Sequence, residues 1–318
     1  MTTATIEAPW GDGGTLGLRL PPDWNVGRES VVEPDLRGPT DDYPAALAGA
    51  LDAPRDSPRL EDRVRPGSKV AIVVDDPSRW TPVREALPMV LARLHAAGVA
   101  AEDVTISVGV GRHHAVDDAA MRRRLGEGPA SSYRCYSPPV DDLSAYVDLG
   151  TTARGVPVRV FRPVAEADLR VLIGSVLPHL QAGFGGGYKL IFPGTSHRTT
   201  LGALHRQGLS RDSDAGLLLG GLAAENPMRQ AVNEAAGLLG PCFSVSHLIG
   251  APGMIFRACA GRPESVQDAL AEEARTRFQA PPAPPPTWWW WGTTPGRATR
   301  CRASRRCSTI GPPASQGG

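Results

Sequence analysis

The stretch Asp168–His205, DLRVLIGSVLPHLQAGFGGGYKLIFPGTSHRTTLGALH, decides how the rest of the chain is read. Its first part, Asp168–Val176, is an apolar run of strand length. That run passes straight into Leu177–His205, which carries three of the seven histidines, the glycine run Gly185–Gly187, and Lys189. Only one other lysine, Lys69, occurs in the chain, and all remaining cationic side chains are arginine. An amine can be deprotonated and acylated and a guanidinium cannot, so a lysine kept here suggests chemistry. A surface lysine behind a flexible loop is the structural alternative.

Working outward, similar strand signals recur on both sides. VAIVVDD (Val70–Asp76) is a β-branched run that ends in two acids, and VTISVGVG (Val104–Gly111) is another. Helical spacing of Leu87, Val90, Leu91 and Leu94 predicts a helix over about Val83–Ala97, and a second is expected over Asp117–Leu125. Upstream, a β-hairpin is expected around Gly11–Gly14 and a short helix near Tyr43–Leu51. Residues 129–160 read as loops and short strands. Downstream, the chain after His205 reads as helical, broken at Gly220, Gly221, Gly237 and Gly240. Strands are then expected at Phe243–Ile249 and Gly253–Ala260, and a helix at Glu264–Phe278. Strand and helix in alternation predict an α/β fold with a largely parallel sheet flanked by helices. In such sheets ligands bind beyond the carboxyl ends of the strands. Three strands end in polar clusters, DDPSR, GRHH and PHLQ, which should face one crevice.

Each cluster has two readings. Asp75, Asp76 and Ser78 suit an Asx turn and a helix cap, while Arg79 suits a bidentate clamp for a carboxylate or phosphate. His113, His114 and His179 are either structural or a proton-transfer pair, because histidine alone titrates near neutral pH unperturbed. Two histidines facing a substrate from opposite sides could remove a proton on one face and return it on the other. The glycine loop fails the P-loop pattern: counted from Gly183, Tyr188 and Leu190 stand where glycine and Ser/Thr are required. The glycines could still let backbone approach a phosphate or a flat cofactor.

Composition bounds the function. With Lys+Arg 34 against Asp+Glu 33 the net charge is +1, which gives no electrostatic case for nucleic acid. No apolar run reaches the roughly 20 residues of a membrane span, and the N-terminus lacks a signal-peptide pattern. Five cysteines without a CxxC pair fit a reducing compartment, so a cytoplasmic protein is expected.

Four ordered segments resemble one family. DDPSRWTP looks like the DDxTRxTP signature of the nickel-pincer lactate racemases, and GRHHAVD is similar to their GTHRPMT segment. PHLQAGFGGGYKLIFPG resembles PHxxAGFSGGxKxxxPG, and ENPMRQAVNEAA resembles an NPxxxxxxE segment. The resemblance spans roughly residues 5–275. It implies a two-domain α/β racemase or epimerase of a small 2-hydroxyacid that uses a nickel-pincer nucleotide, a pyridinium mononucleotide with sulfur donors. By the same resemblance Lys189 bonds covalently to the cofactor, with Asp76, Gly186 and Gly187 around it, and His205 ligates nickel. His197 competes for that last role on chemistry alone. His113 and His179 take the acid/base roles, and Arg79 holds the substrate carboxylate. The implied reaction removes the C2 hydrogen as hydride while a histidine takes the hydroxyl proton, and return to either face racemises the centre. The chain departs from the family at Gln181, which stands where some members carry cysteine. His114 replaces an arginine and Gly185 a serine. A zinc hydrolase using His113, His179 and His205 is an alternative, although no HxH or HExxH spacing is present. A non-catalytic remnant that binds cofactor is another.

From about Ala280 the composition changes, with Trp288–Trp291 followed by Arg, Cys and Pro in no periodic order. No packed element is expected there. Tryptophan has the single codon TGG, and a TGG run read one base earlier encodes valine. Continuing in that frame permits a buried strand, a loop and a helix that resemble the family's second domain. The expected organisation is therefore residues 1–275 as a catalytic and cofactor-binding domain and 280–318 as a frameshifted tail.

Overall fold

A computed structural model describes residues 5–10, 14–19, 37–209, 219–279, 288–293 and 297–302. Two compact units are present, Leu36–Arg277 and a second made of Met1–Asp35 with Phe278–Gly318. In chain order the strands and helices are β1 (Thr5–Trp10), β2 (Gly14–Arg19), α1 (Tyr43–Asp52), β3 (Val70–Asp75), α2 (Val83–Ala96), β4 (Val104–Gly109), α3 (Asp118–Leu125), α4 (Glu127–Ser132) and β5 (Arg134–Tyr136). They continue as β6 (Tyr146–Thr151), β7 (Pro157–Phe161), α5 (Arg162–Ala165), β8 (Leu169–Val176), β9 (Pro178–His179), β10 (Gly183–Phe184), α6 (Arg198–Gln207) and α7 (Pro227–Ala236). The last are β11 (Cys242–Ala251), β12 (Met254–Gly261), α8 (Pro263–Phe278), β13 (Trp288–Thr293) and β14 (Arg297–Arg302).

The larger unit is built on a six-stranded sheet in the order β12-β11-β8-β3-β4-β5. All neighbours pair in parallel except β12, which runs antiparallel to β11. The α/β reading with a largely parallel sheet is thus the fold observed. Strand faces separate by alternation, as period-two pleating requires. Ile72, Val74, Val171 and Ile173 pack with Leu47, Leu87 and Leu94 of α1 and α2 on one face. Ala71, Val73 and Leu172 pack with Leu204, Ala231 and Val232 of α6 and α7 on the other. Both faces are covered, which is why β3 and β8 are buried along their whole length and read as continuous apolar runs.

The order places β8, β3 and β4 side by side, with Val74 beside Ile173 and Asp75 beside Gly109. Their carboxyl ends therefore open on one edge, and the three polar clusters follow from those ends. Two local expectations change. The helix near His205 begins before that residue, at Arg198, and closes at Gly208; among the described residues the next α-helix starts at Pro227. Residues 210–218 between them lie outside the described residues.

In the other unit, β1 and β2 form the expected hairpin, paired from Thr5–Arg19 to Trp10–Gly14. The tryptophan run, where no packed element is expected, has strand backbone: β13 pairs antiparallel with β14. Aromatic side chains favour extended backbone, which accounts for the difference. A two-stranded ladder by itself is marginal in water.

Candidate active site

The loop after β3 is fixed by a residue from another helix. Arg124 of α3 donates through Nε to the Asp75 carbonyl (3.0 Å), and through Nη1 to the carbonyls of Arg79 (3.0 Å) and Thr81 (3.2 Å). Its Nη2 pairs with the Asp75 carboxylate, which also accepts from Thr81 Oγ1 at 2.5 Å. Burial pushes the Asp75 carboxyl up, and Arg124 and Thr81 oppose that shift. Asp75 is thereby consumed by structure. The loop it anchors presents Arg79, whose guanidinium makes no hydrogen bond or ion pair among the described residues.

Asp76, almost fully buried, engages two donors. Its Oδ1 accepts from the Ser78 amide (2.8 Å), and its Oδ2 lies 3.0 Å from His113 Nδ1. Burial pushes this carboxyl up, but the Ser78 hydrogen bonds and the His113 charge outweigh it and hold the group below the ordinary carboxylate value. Asp76 and His113, on neighbouring strand ends, form a carboxylate–imidazole dyad. With Nδ1–H given to Asp76, the His113 lone pair is on Nε2. His114 is exposed.

His179 has the opposite polarity. Its Nδ1 accepts from the amides of Gln181 (3.1 Å) and Ala182 (3.0 Å), so the neutral ring carries its proton on Nε2. Nε2 lies 3.2 Å from Lys189 Nζ. A hydrogen bond between them needs the lysine nitrogen as acceptor, which only the neutral amine provides. The charges around the pair agree. Burial first, then Arg229 and Arg79, push the Lys189 amine down to about 7. Burial, Lys189, Arg79 and Arg229 hold the His179 imidazole well below its ordinary value.

The glycine loop between them is shaped by α7. Asn226 caps that helix, its Oδ1 accepting from the Arg229 amide (2.8 Å) while its Nδ2 donates to the Gln181 carbonyl (3.0 Å). Arg229, 2% exposed, sends its guanidinium to the carbonyls of Phe184, Gly185 (3.4 Å) and Gly186 (3.3 Å). Gln267 of α8 donates to the Gly185 carbonyl at 2.9 Å. Gly186 has φ +75°, and a Cβ there would stand 2.7 Å from the Ser175 carbonyl oxygen. Only glycine fits so close a backbone approach at positive φ.

His205 and His197 separate clearly. His197 caps α6, its Nδ1 accepting from the Thr199 amide at 3.3 Å and lying 2.9 Å from Thr199 Oγ1, while its ring stands edge-on to Tyr146. That side chain is spent on structure. His205 Nδ1 donates to the Leu201 carbonyl (2.8 Å), which leaves the Nε2 lone pair available to a metal. Burial, with the Lys189 and Arg112 charges, favours the neutral ring that a metal requires. Among the described residues no group of three or more His, Cys, Asp or Glu side chains could hold a metal ion, so the three-histidine zinc arrangement is not formed.

Sequence reasoning singled out Arg79, Asp76, His113, His179, Lys189 and His205, and missed Arg124 and Arg229. Arg124 ends the run Arg122–Arg124, which reads as a solvated basic face. The available signal was periodicity: Met121, Arg124 and Leu125 share the buried side of α3.

Compared with known proteins, residues 12–216 match the family described as the lactate racemase N-terminal domain. A lactate racemase of Thermoanaerobacterium thermosaccharolyticum is 26% identical over 267 residues, covering 82% of this chain and 60% of that protein. A lactate racemase of Lactiplantibacillus plantarum is 29% identical over 156 residues, covering 49% of this chain and 37% of that one. The chain therefore spans about 60% or less of the length of these curated relatives. In fold, the lactate racemase apoprotein from T. thermosaccharolyticum aligns with a TM-score of 0.71 at 24% identity, over 86% of this chain and 63% of that one. A crystal structure of a Thermotoga maritima protein aligns at 0.57 and 17% identity, over 72% and 57%. The family match covers more than half of the sequence, and the chain belongs to the lactate racemase N-terminal domain family.

Proposed function

We propose that this chain is the N-terminal catalytic and cofactor-binding part of a racemase or epimerase of a small 2-hydroxyacid, working with a nickel-pincer nucleotide. The observation that carries the reading is the meeting of Lys189 with His179 at 3.2 Å, beside Arg79, within the span that matches the family. The residues suit that cofactor in three ways. Lys189 offers a neutral amine for covalent attachment, Gly186 and Gly187 a backbone cradle without side chains, and His205 one imidazole nitrogen for nickel. A single protein ligand is enough where the cofactor brings its own sulfur donors. When bound, the cofactor supplies reversible two-electron chemistry at the substrate's C2.

The chain's own residues account for binding and proton traffic. Arg79 holds the substrate carboxylate by a charge-assisted bidentate contact. His113, oriented by Asp76, presents a basic Nε2 to the hydroxyl proton. His179, neutral with its proton on Nε2, is the complementary hydrogen-bond donor. Two imidazoles held in opposite tautomers by their surroundings present one acceptor and one donor to the substrate.

The test is metal and mass analysis of protein made in cells that synthesise the cofactor, with polarimetry on each lactate enantiomer. Nickel, an adduct on Lys189 and convergence of both enantiomers to the racemate are expected. Zinc with an unmodified Lys189 would overturn the reading.

A further inference from the structure

Lys189 has a reactivity of its own that does not need the cofactor. The Lys189 residue is half-buried, its charged neighbours Arg229 and Arg79 are both cations, and among the described residues no carboxylate is paired with it. The titratable groups facing it are His179 and His205. His179 Nε2–H occupies the amine's lone pair side, so the resting nitrogen is a free base. Of the two nearby cations, Arg229 is spent on the carbonyls of the glycine loop, while Arg79 has no hydrogen-bonded partner among the described residues. A nucleophilic amine beside an unengaged guanidinium fits a carbonyl carbon attached to a carboxylate.

We propose that in the cofactor-free chain Lys189 Nζ forms a reversible imine with the keto carbon of a small 2-oxoacid whose carboxylate is held by Arg79. The lone pair of Nζ forms the C–N bond and the carbonyl π pair moves to oxygen. The proton lost by nitrogen goes to that oxygen, giving a carbinolamine. His179 Nε2–H, released from the amine, then donates a hydrogen bond to the carbinolamine oxygen. Loss of the hydroxyl together with the second nitrogen proton yields the imine and one water. A 2-oxoacid is the oxidised counterpart of the proposed 2-hydroxyacid, so the adduct would hold the unloaded site against cofactor attachment. The inference rests on the racemase reading only for Arg79 as the carboxylate clamp.

The experiment uses the purified 318-residue chain without cofactor, pyruvate as probe and cyanoborohydride to reduce the imine, followed by peptide mapping by mass spectrometry. Lys69, paired with Asp103 and well exposed, is the internal control. Expected is a carboxyethyl adduct on Lys189 at roughly tenfold or more the occupancy on Lys69, as a free base at neutral pH predicts. Acetone, a ketone that lacks the carboxylate, should label Lys189 more slowly, and Arg79→Gln should reduce the pyruvate rate to that of acetone. Equal labelling of the two lysines, or equal rates for pyruvate and acetone on the native chain, would overturn the proposal. Failure of labelling with nickel-dependent racemisation intact would leave the racemase reading standing, and the converse result would do the reverse.

Discussion

Asp76 shows how much of the site turns on single hydrogen bonds. One oxygen of its buried carboxylate takes the Ser78 amide and the other lies against His113 Nδ1, so it fixes both the loop and the imidazole tautomer. Asp76→Asn keeps an oxygen for Ser78 but presents an amide N–H to Nδ1, which would move the His113 proton to Nε2. A fall of roughly 10²-fold in kcat with little change in KM is expected in the loaded enzyme. The same variant should move the His113 nitrogen signals in ¹⁵N NMR to the other tautomer, and unchanged signals would refute this role. Arg79, His113, His179 and Lys189 were legible because each follows a strand end or a glycine run. Arg124 and Arg229 were not, since an arginine carries the same letter whether it is solvated or buried against backbone carbonyls 43 or more residues away.

Among the elements, the glycine loop is the one whose shape is imposed from outside. α7 and α8 hold its carbonyls through Arg229 and Gln267, and its backbone passes so close to β8 that position 186 admits no side chain. Gly186→Ala should therefore cost about 2 kcal/mol or more, read as a lowered urea midpoint. Gly185 is different: a Cβ there meets Ser175 O at 3.6 Å, an ordinary contact, and its φ is not positive. Gly185→Ser, which restores the family's residue, is expected to leave the midpoint within about 0.5 kcal/mol. The departure at this position is thus compatible with the loop. Strand and helix boundaries agreed closely with expectation wherever apolar periodicity was long, as in Val83–Ala96. They disagreed around His205, where the helix start is set by the His197 cap rather than by periodicity.

For the molecule as a whole, His247 ties layers together in a way the chemistry does not use. Wholly buried on β11, it donates through Nδ1 to the Gly174 carbonyl (2.9 Å) and accepts the Tyr43 hydroxyl of α1 at Nε2 (2.8 Å). Burial pushes its pKa down from 6.5 to about 4. The unfolded chain therefore binds this proton more readily than the folded one. The stability present above pH 6.5 falls as pH drops through that value, and the loss is complete near pH 4, reaching about 3 kcal/mol. Urea unfolding across this range should show the loss, and His247→Gln should flatten it. At the gene level, resequencing codons 275–292 is predicted to reveal a missed or extra base that restores an open frame through the tryptophan run. A confirmed sequence as printed would refute the frameshift and leave the family assignment, which rests on residues 12–216, untouched. The sequence by itself determined the α/β class, the order of elements and the residue types at the strand ends. These follow from short-range periodicity and from motifs contiguous in the chain. Only the tertiary structure decided that β8, β3 and β4 lie side by side, that His197 is a cap while His205 keeps a free nitrogen, and that His113 and His179 hold their protons on opposite nitrogens. Those outcomes depend on strand order and on hydrogen bonds between distant residues, which no local pattern encodes.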